Sequence, residues 1–148
     1  SMKQAITSQL LELLEDRIST ASEAVKSVME SRDSDEKNSA GDKHETSRAM
    51  IEIELEKATA QEARIRQMKA DLKRIDLTNV HTRIGVGSLV ETSNGLYFLG
   101  IAWGAVKINE ATVYCISVLS PIGELLKGRL AGDEITFQDK QIAIHKVS

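Results

Sequence analysis

Apolar residues recur through the first thirty positions at alternating intervals of four and three. Thr7, Leu11, Leu14, Ile18, Ala21, Val25 and Val28 keep this rhythm, which lays one narrow stripe along a helix and predicts a coiled-coil seam from Met2 to about Arg32. Ile6, Leu10 and Leu13 widen the stripe near its start, a pattern suited to contact with more than one neighbour. A second seam follows in Ile51, Leu55, Ala58, Ile65, Leu72 and Ile75. It is interrupted at Glu62, and one step is shared between Met68 and Lys69. The stretch between the seams, Ser31 to Gly41, is polar and rich in turn-forming residues. Two seams joined by one short polar loop predict an antiparallel helical hairpin, each stripe covering the other, with arms about 45 Å long.

After Leu77 the period changes. Ser88–Thr92 and Leu96–Trp103 read as strands on either side of an Asn94-Gly95 turn. Thr112–Val118 reads as another strand, and Ile135–Phe137 and Gln141–His145 as a last hairpin around Gln138-Asp139-Lys140. One short helix interrupts them, with Ser120 as N-cap, Pro121 at its first position, Ile122–Leu126 as its body and Gly128 as terminator. The expected fold class is α+β: residues 1–76 form an antiparallel coiled-coil hairpin with its tip near 33–45, and residues 77–148 form a small antiparallel sheet domain.

Composition sharpens that division. Residues 1–76 carry 13 Lys+Arg and 16 Asp+Glu, with no aromatic and a single glycine, whereas residues 77–148 carry six of each charge and all five aromatics. The net charge of −3 gives no general basic field for gripping nucleic acid. The single cysteine, Cys115, rules out an internal disulfide framework and a multi-cysteine zinc site. A reducing cytoplasm is the expected location, and no apolar window predicts a membrane span or signal peptide.

Candidate chemistry is sparse. Cys115 lies mid-strand with no base indicated beside it, which fits a buried structural thiol. His44, His81 and His145 have no metal-ligand spacing, and Gly85-Val86-Gly87 fits a turn better than a phosphate loop. These features favour a binding protein over an enzyme and imply no cofactor of its own. Charge, however, is graded along the hairpin. Glu30, Asp33, Asp35, Glu36, Asp42 and Glu45 gather toward the tip, while Arg64, Arg66, Lys69, Lys73 and Arg74 gather toward the root. Asp42 with Glu45 three residues later also has the spacing of a helix capping box.

The segment Ile116-Ser117-Val118-Leu119-Ser120-Pro121-Ile122-Gly123-Glu124-Leu125-Leu126-Lys127-Gly128-Arg129-Leu130-Ala131-Gly132-Asp133-Glu134-Ile135 resembles the C-terminal signature of the GreA/GreB transcript cleavage factors. The family pattern is roughly I-S-x-x-S-P-x-(small)-x-x-L-x-G-(K/R)-x-x-G-D-x-(V/I). The order of parts is similar too, a coiled coil followed by an FKBP-like sheet domain. The resemblance implies that the C-terminal domain docks on bacterial RNA polymerase, with Ser120, Pro121, Gly128, Gly132 and Asp133 in the docking motif region. It implies that the coiled coil enters the secondary channel and brings acids to the Mg²⁺ of the polymerase active site, where the nascent RNA 3′ end of a backtracked complex is cleaved by the polymerase itself. Gly41-Asp42-Lys43-His44-Glu45 fits the family's tip pattern G-D-x-x-E, so Asp42 and Glu45 are the implied metal-proximal acids. Asp33, Asp35 and Glu36 are alternatives, and Arg64, Arg66 and Lys69 are the implied RNA-facing patch. The chain departs from the pattern after Glu45, where Thr46-Ser47-Arg48-Ala49 replaces a run that ends in tyrosine. Two further readings therefore stand beside cleavage stimulation: a channel binder that modulates transcription without cleavage, and a structural coiled-coil dimer. The family reading expects a monomer with no membrane contact.

Overall fold

The structure, a computed structural model, describes residues 1–37 and 41–148, with Asp42 described by its backbone alone. Two long helices, α1 (Met2–Lys37) and α2 (Asp42–Lys73), precede the strands β1 (Leu89–Thr92), β2 (Gly95–Leu99), β3 (Gly104–Ile108) and β4 (Ala111–Ile116). The helix α3 (Pro121–Leu126) and the strands β5 (Glu134–Phe137) and β6 (Lys140–Val147) complete the chain. This is the expected α+β architecture of a helical hairpin followed by a small sheet. By compactness the chain divides into two units: Glu12–Lys69, and Ser1–Leu11 together with Ala70–Ser148.

In the hairpin unit the stripe of α1 is buried at Leu14, Ile18, Ala21 and Val25, which meets the predicted register. Earlier in the helix the register slips by one, and Ile6 and Leu10 are fully buried where Thr7 and Leu11 were expected. On α2, Ile65 and Leu72 are buried, while Met68 and Lys69 are both half-buried, as a shared seam step requires. The main difference lies at the far end. α1 does not stop at Arg32 but continues to Lys37, because Arg32 and Asp35 carry the seam spacing onward from Val28 as half-buried polar positions. The expected loop is shorter by about a turn and a half, and its Asn38, Ser39 and Ala40 lie outside the described residues.

In the other unit six strands form one sheet in the order β3-β4-β2-β1-β6-β5. All neighbours are antiparallel except β2 and β4, which run parallel in register from Leu96↔Val113 to Leu99↔Ile116. The expected strand Leu96–Trp103 is shorter than its apolar run, and the strand that follows it was not expected. β2 ends at Leu99, the chain bends, and Gly104 at φ 109° opens β3, a short strand that the sequence reading left unassigned. At Gly100 a Cβ would lie 3.0 Å from Ile75 Cδ1, and at Gly87 it would lie 3.0 Å from Ile75 Cγ2. These two glycines therefore seat the Ile75 side chain against the sheet. The core on one face gathers Val90, Tyr97, Leu99, Leu126, Ile135, Ile142 and Ile144. The last hairpin turns at Gln138 and Asp139, both at positive φ, the signature of a tight two-residue connection.

Candidate functional site

The far end of the hairpin is built by the last turns of α1 and the first turn of α2. The Gly41 carbonyl accepts from Glu45 N at 3.3 Å and from His44 N at 3.0 Å, so Gly41 is the N-cap of α2. Asp42 then occupies the first helical position, and Glu45 the fourth. This corrects the capping-box reading, because Glu45 is one residue too far along to reach back to the cap. Glu45 is exposed and has no side-chain hydrogen bond or ion pair among the described residues. The Asp42 side chain lies outside what the structure describes.

The other three acids sit on a helix rather than in a loop. Asp33 is exposed and lies 3.5 Å from Arg32 Nε, and Glu36 is exposed. Asp35 faces α2, where its Oδ1 accepts from Ser47 Oγ at 3.2 Å and its Oδ2 stands 3.5 Å from His44 Nδ1. The His44 contact is not a hydrogen bond, since Nδ1 is buried with no hydrogen-bond partner among the described residues. Sequence reasoning missed this clasp. The signal was the seam spacing itself, which runs on from Val28 through Arg32 to Asp35. All three acids stand near the C-terminus of α1, where the helix dipole disfavours negative charge.

The basic run divides between faces. Successive residues are about 100° apart around a helix, so Arg66 and Lys69 share a side while Arg64 points well away from Arg66. Each already has a partner. Arg64 Nη2 donates to Gln61 Oε1 at 2.6 Å, Arg66 Nε pairs with Glu62 at 2.8 Å, and Lys69 pairs with Glu15.

In the sheet unit the signature residues build structure. Ser120 Oγ accepts from Gly123 N at 3.1 Å and donates to Ser117 O at 2.6 Å, which caps α3, and Pro121 stands at its start. A Cβ on Gly123 would come within 2.1 Å of Ser117 O, so no side chain fits there. Gly128, at φ 80°, donates its N–H to Ile84 O at 2.8 Å, and Gly132, at φ 95°, donates to Ile144 O at 2.8 Å. Asp133 Oδ2 accepts from Leu130 N at 2.9 Å and closes the turn into β5. What this framework offers outward is Leu119, 77 % exposed, whose N–H donates to Ser117 Oγ at 3.1 Å.

Cys115 is buried, and burial pushes its thiol up to about 12. No three metal-ligating side chains converge among the described residues, and no helix described is long and apolar enough to cross a membrane. Neither the protein-family models nor the curated protein sequences contain a match to this chain.

Proposed function

We propose that the chain is a GreA/GreB-type factor of bacterial RNA polymerase, which enters the secondary channel with its helical hairpin and promotes cleavage of backtracked RNA. The observation that carries the proposal is a hairpin unit about 40 Å long with acids concentrated at its far end, three of them where the α1 dipole makes them costly. A charge arrangement that opposes local stability is the kind expected of a functional site. The signature 116–135, with Gly123 and Ser120 in the roles that its pattern needs, is the second support.

In this reading Glu45, exposed and without a side-chain partner among the described residues, and Asp42 supply hard oxygen donors to the Mg²⁺ that the polymerase holds. That ion contributes Lewis-acid and water-activating chemistry to phosphodiester hydrolysis. The chain's own part is to carry the carboxylates there, so it is not itself a nuclease. Asp35 is held by Ser47 and orients the tip, leaving Asp33 and Glu36 as secondary acids. Leu119, presented by the Ser117–Ser120 turn, is the apolar contact that the docking surface offers. The working form is a monomer in the bacterial cytoplasm.

The experiment is RNA cleavage in purified, halted and backtracked elongation complexes with Mg²⁺. The protein shortens the transcript from its 3′ end, and Glu45→Ala combined with Asp42→Ala abolishes this while polymerase binding persists. A specific observation favours a second reading, modulation without cleavage: Asp35 is committed to α2, and Thr46-Ser47-Arg48 follows Glu45. Wild-type binding with no cleavage selects that reading.

A further inference from the structure

Burial along the hairpin unit is uneven. On α1 the buried apolar side chains of the seam end at Val25, and on α2 the first is Ile65. Two contacts across the seam, the Lys69–Glu15 ion pair and the Ser47–Asp35 hydrogen bond, fix the antiparallel register and set Val25 opposite Ala58. Beyond that step, residues 26–37 of α1 and 42–57 of α2 contain no buried side chain among those described. Their half-buried seam is apolar only at Val28, Ile51 and Leu55, and its last steps hold the polar Arg32, Asp35 and Ser47. Met29, Met50 and Ile53 are exposed, so their apolar surface stays outside the seam.

The stabilisation from closing a seam scales with the apolar area it removes from water, so these two arms gain little by closing. Three effects oppose them. Asp33, Asp35 and Glu36 stand near the C-terminal end of α1, where the dipole disfavours negative charge. His44 Nδ1 is buried with no hydrogen-bond partner among the described residues, which costs the solvation of that atom. Isolated helices of about 12–15 residues are marginal in water, so each arm loses helix once the seam parts. Against these stands one polar clasp, Ser47 Oγ donating to Asp35 Oδ1 at 3.2 Å. In the other part of the hairpin unit Leu14, Ile18, Ala21, Val25 and Ile65 are all buried, and that part needs no clasp.

We propose that residues 26–37 and 42–57 form a separate cooperative element, which opens while the rest of the hairpin unit stays closed, with the Ser47–Asp35 bond as its latch. Proteins open in such units where buried apolar contacts are few. The consequence is a switch at the tip. Asp33 and Glu36 on one arm and Glu45 on the other keep fixed places relative to each other only in the closed form. A partner that reads both arms together selects that form, and its apparent affinity is reduced by the fraction of chains that are closed. The proposal concerns the free chain and does not depend on the polymerase reading.

The test is native-state amide hydrogen exchange of the full chain, read residue by residue by NMR at increasing urea below the unfolding transition. Amides of residues 28–36 and 47–56 should be protected on the order of tenfold less than those of 16–24 and 65–69, and should share one urea dependence, the mark of a single opening. Equal protection in both parts makes the hairpin one unit and overturns the proposal. Protection that falls off gradually toward the tip, with no shared urea dependence, is ordinary end fraying and also overturns it. The latch is tested by a double-mutant cycle of Asp35→Ala and Ser47→Ala, which cancels the change in helix propensity at each site. The coupling should be about fivefold in protection of the far amides, the worth of one hydrogen bond, and absent from residues 16–24. No coupling in the far amides, or an equal coupling in both parts, overturns the latch.

Discussion

Replacing Gly123 by alanine should reverse the ordinary sign of that substitution. Within a helix, Gly→Ala normally gains about 1 kcal/mol. Gly123 lies in α3, but its added Cβ would sit 2.1 Å from Ser117 O, 2.9 Å from Ser120 Oγ and 3.0 Å from Val118 Cα. The nearest obstacle is a backbone carbonyl that already accepts from Ser120 Oγ, so relief requires the Ser117–Ser120 turn to move. Moving it breaks the Ser120 cap, worth about 1 kcal/mol, and adds an overpacking cost of about 1–3 kcal/mol. Less the usual gain, the net loss is about 1–3 kcal/mol for the sheet unit, or roughly 5–20 °C in Tm for a unit of this size. Trp103, the one tryptophan, lies in that unit and reports its unfolding by fluorescence. Ser120→Ala, which loses the cap without a clash, should cost only about 1 kcal/mol. A Gly123→Ala protein as stable as the parent, or more so, would refute the assignment of this signature position to close packing.

Three further outcomes follow from the same structure. His81 has its pKa held below its ordinary 6.5, by burial first and then by Lys3. The unfolded chain therefore binds more protons just below pH 6.5, and stability falls as pH drops from 7 toward the folded-state value; Trp103 melts at pH 5–7 should show this decline, and His81→Gln should flatten it. Because burial pushes the Cys115 thiol up to about 12, Ellman's reagent at pH 8 should react only as fast as the sheet unit opens, and prompt labelling of the native protein would contradict the buried placement. At the tip, Asp35→Ala removes the Ser47 bond and the His44 contact and should cost the hairpin unit about 1 kcal/mol by circular dichroism melts. Glu45→Ala, with no partner to lose among the described residues, should stay within about 0.5 kcal/mol of the parent.

Much of the architecture was legible because it rests on periodicity and local chemistry. The stripe from Leu14 to Val25 and the Ser120-Pro121 helix start are set by side chains close in sequence. What periodicity could not supply was any feature decided by distant partners. The parallel pairing of β2 with β4 leaves no local trace, and β3, five residues opened by Gly104 and holding Lys107, was missed between two more apolar strands. The end of α1 was underestimated because Arg32 to Lys37 look like loop residues, although their polarity is compatible with an exposed helix face. The tip acids could be named but not sorted. Only the fold separates Asp35, committed to Ser47, from Glu45, which has no side-chain partner among the described residues. The hydrogen bond of Lys3 Nζ to Asn79 O, 76 positions away, likewise leaves no local trace.

The central claim, that this chain is a partner of RNA polymerase, is tested most directly by sedimentation velocity of the purified protein alone and with bacterial core polymerase. The account predicts a monomer alone, since one chain supplies both arms of the hairpin, and a stoichiometric complex with the polymerase that Leu119→Asp weakens at least tenfold. A stable dimer alone, together with no co-sedimentation, would contradict it and leave a structural coiled coil in its place.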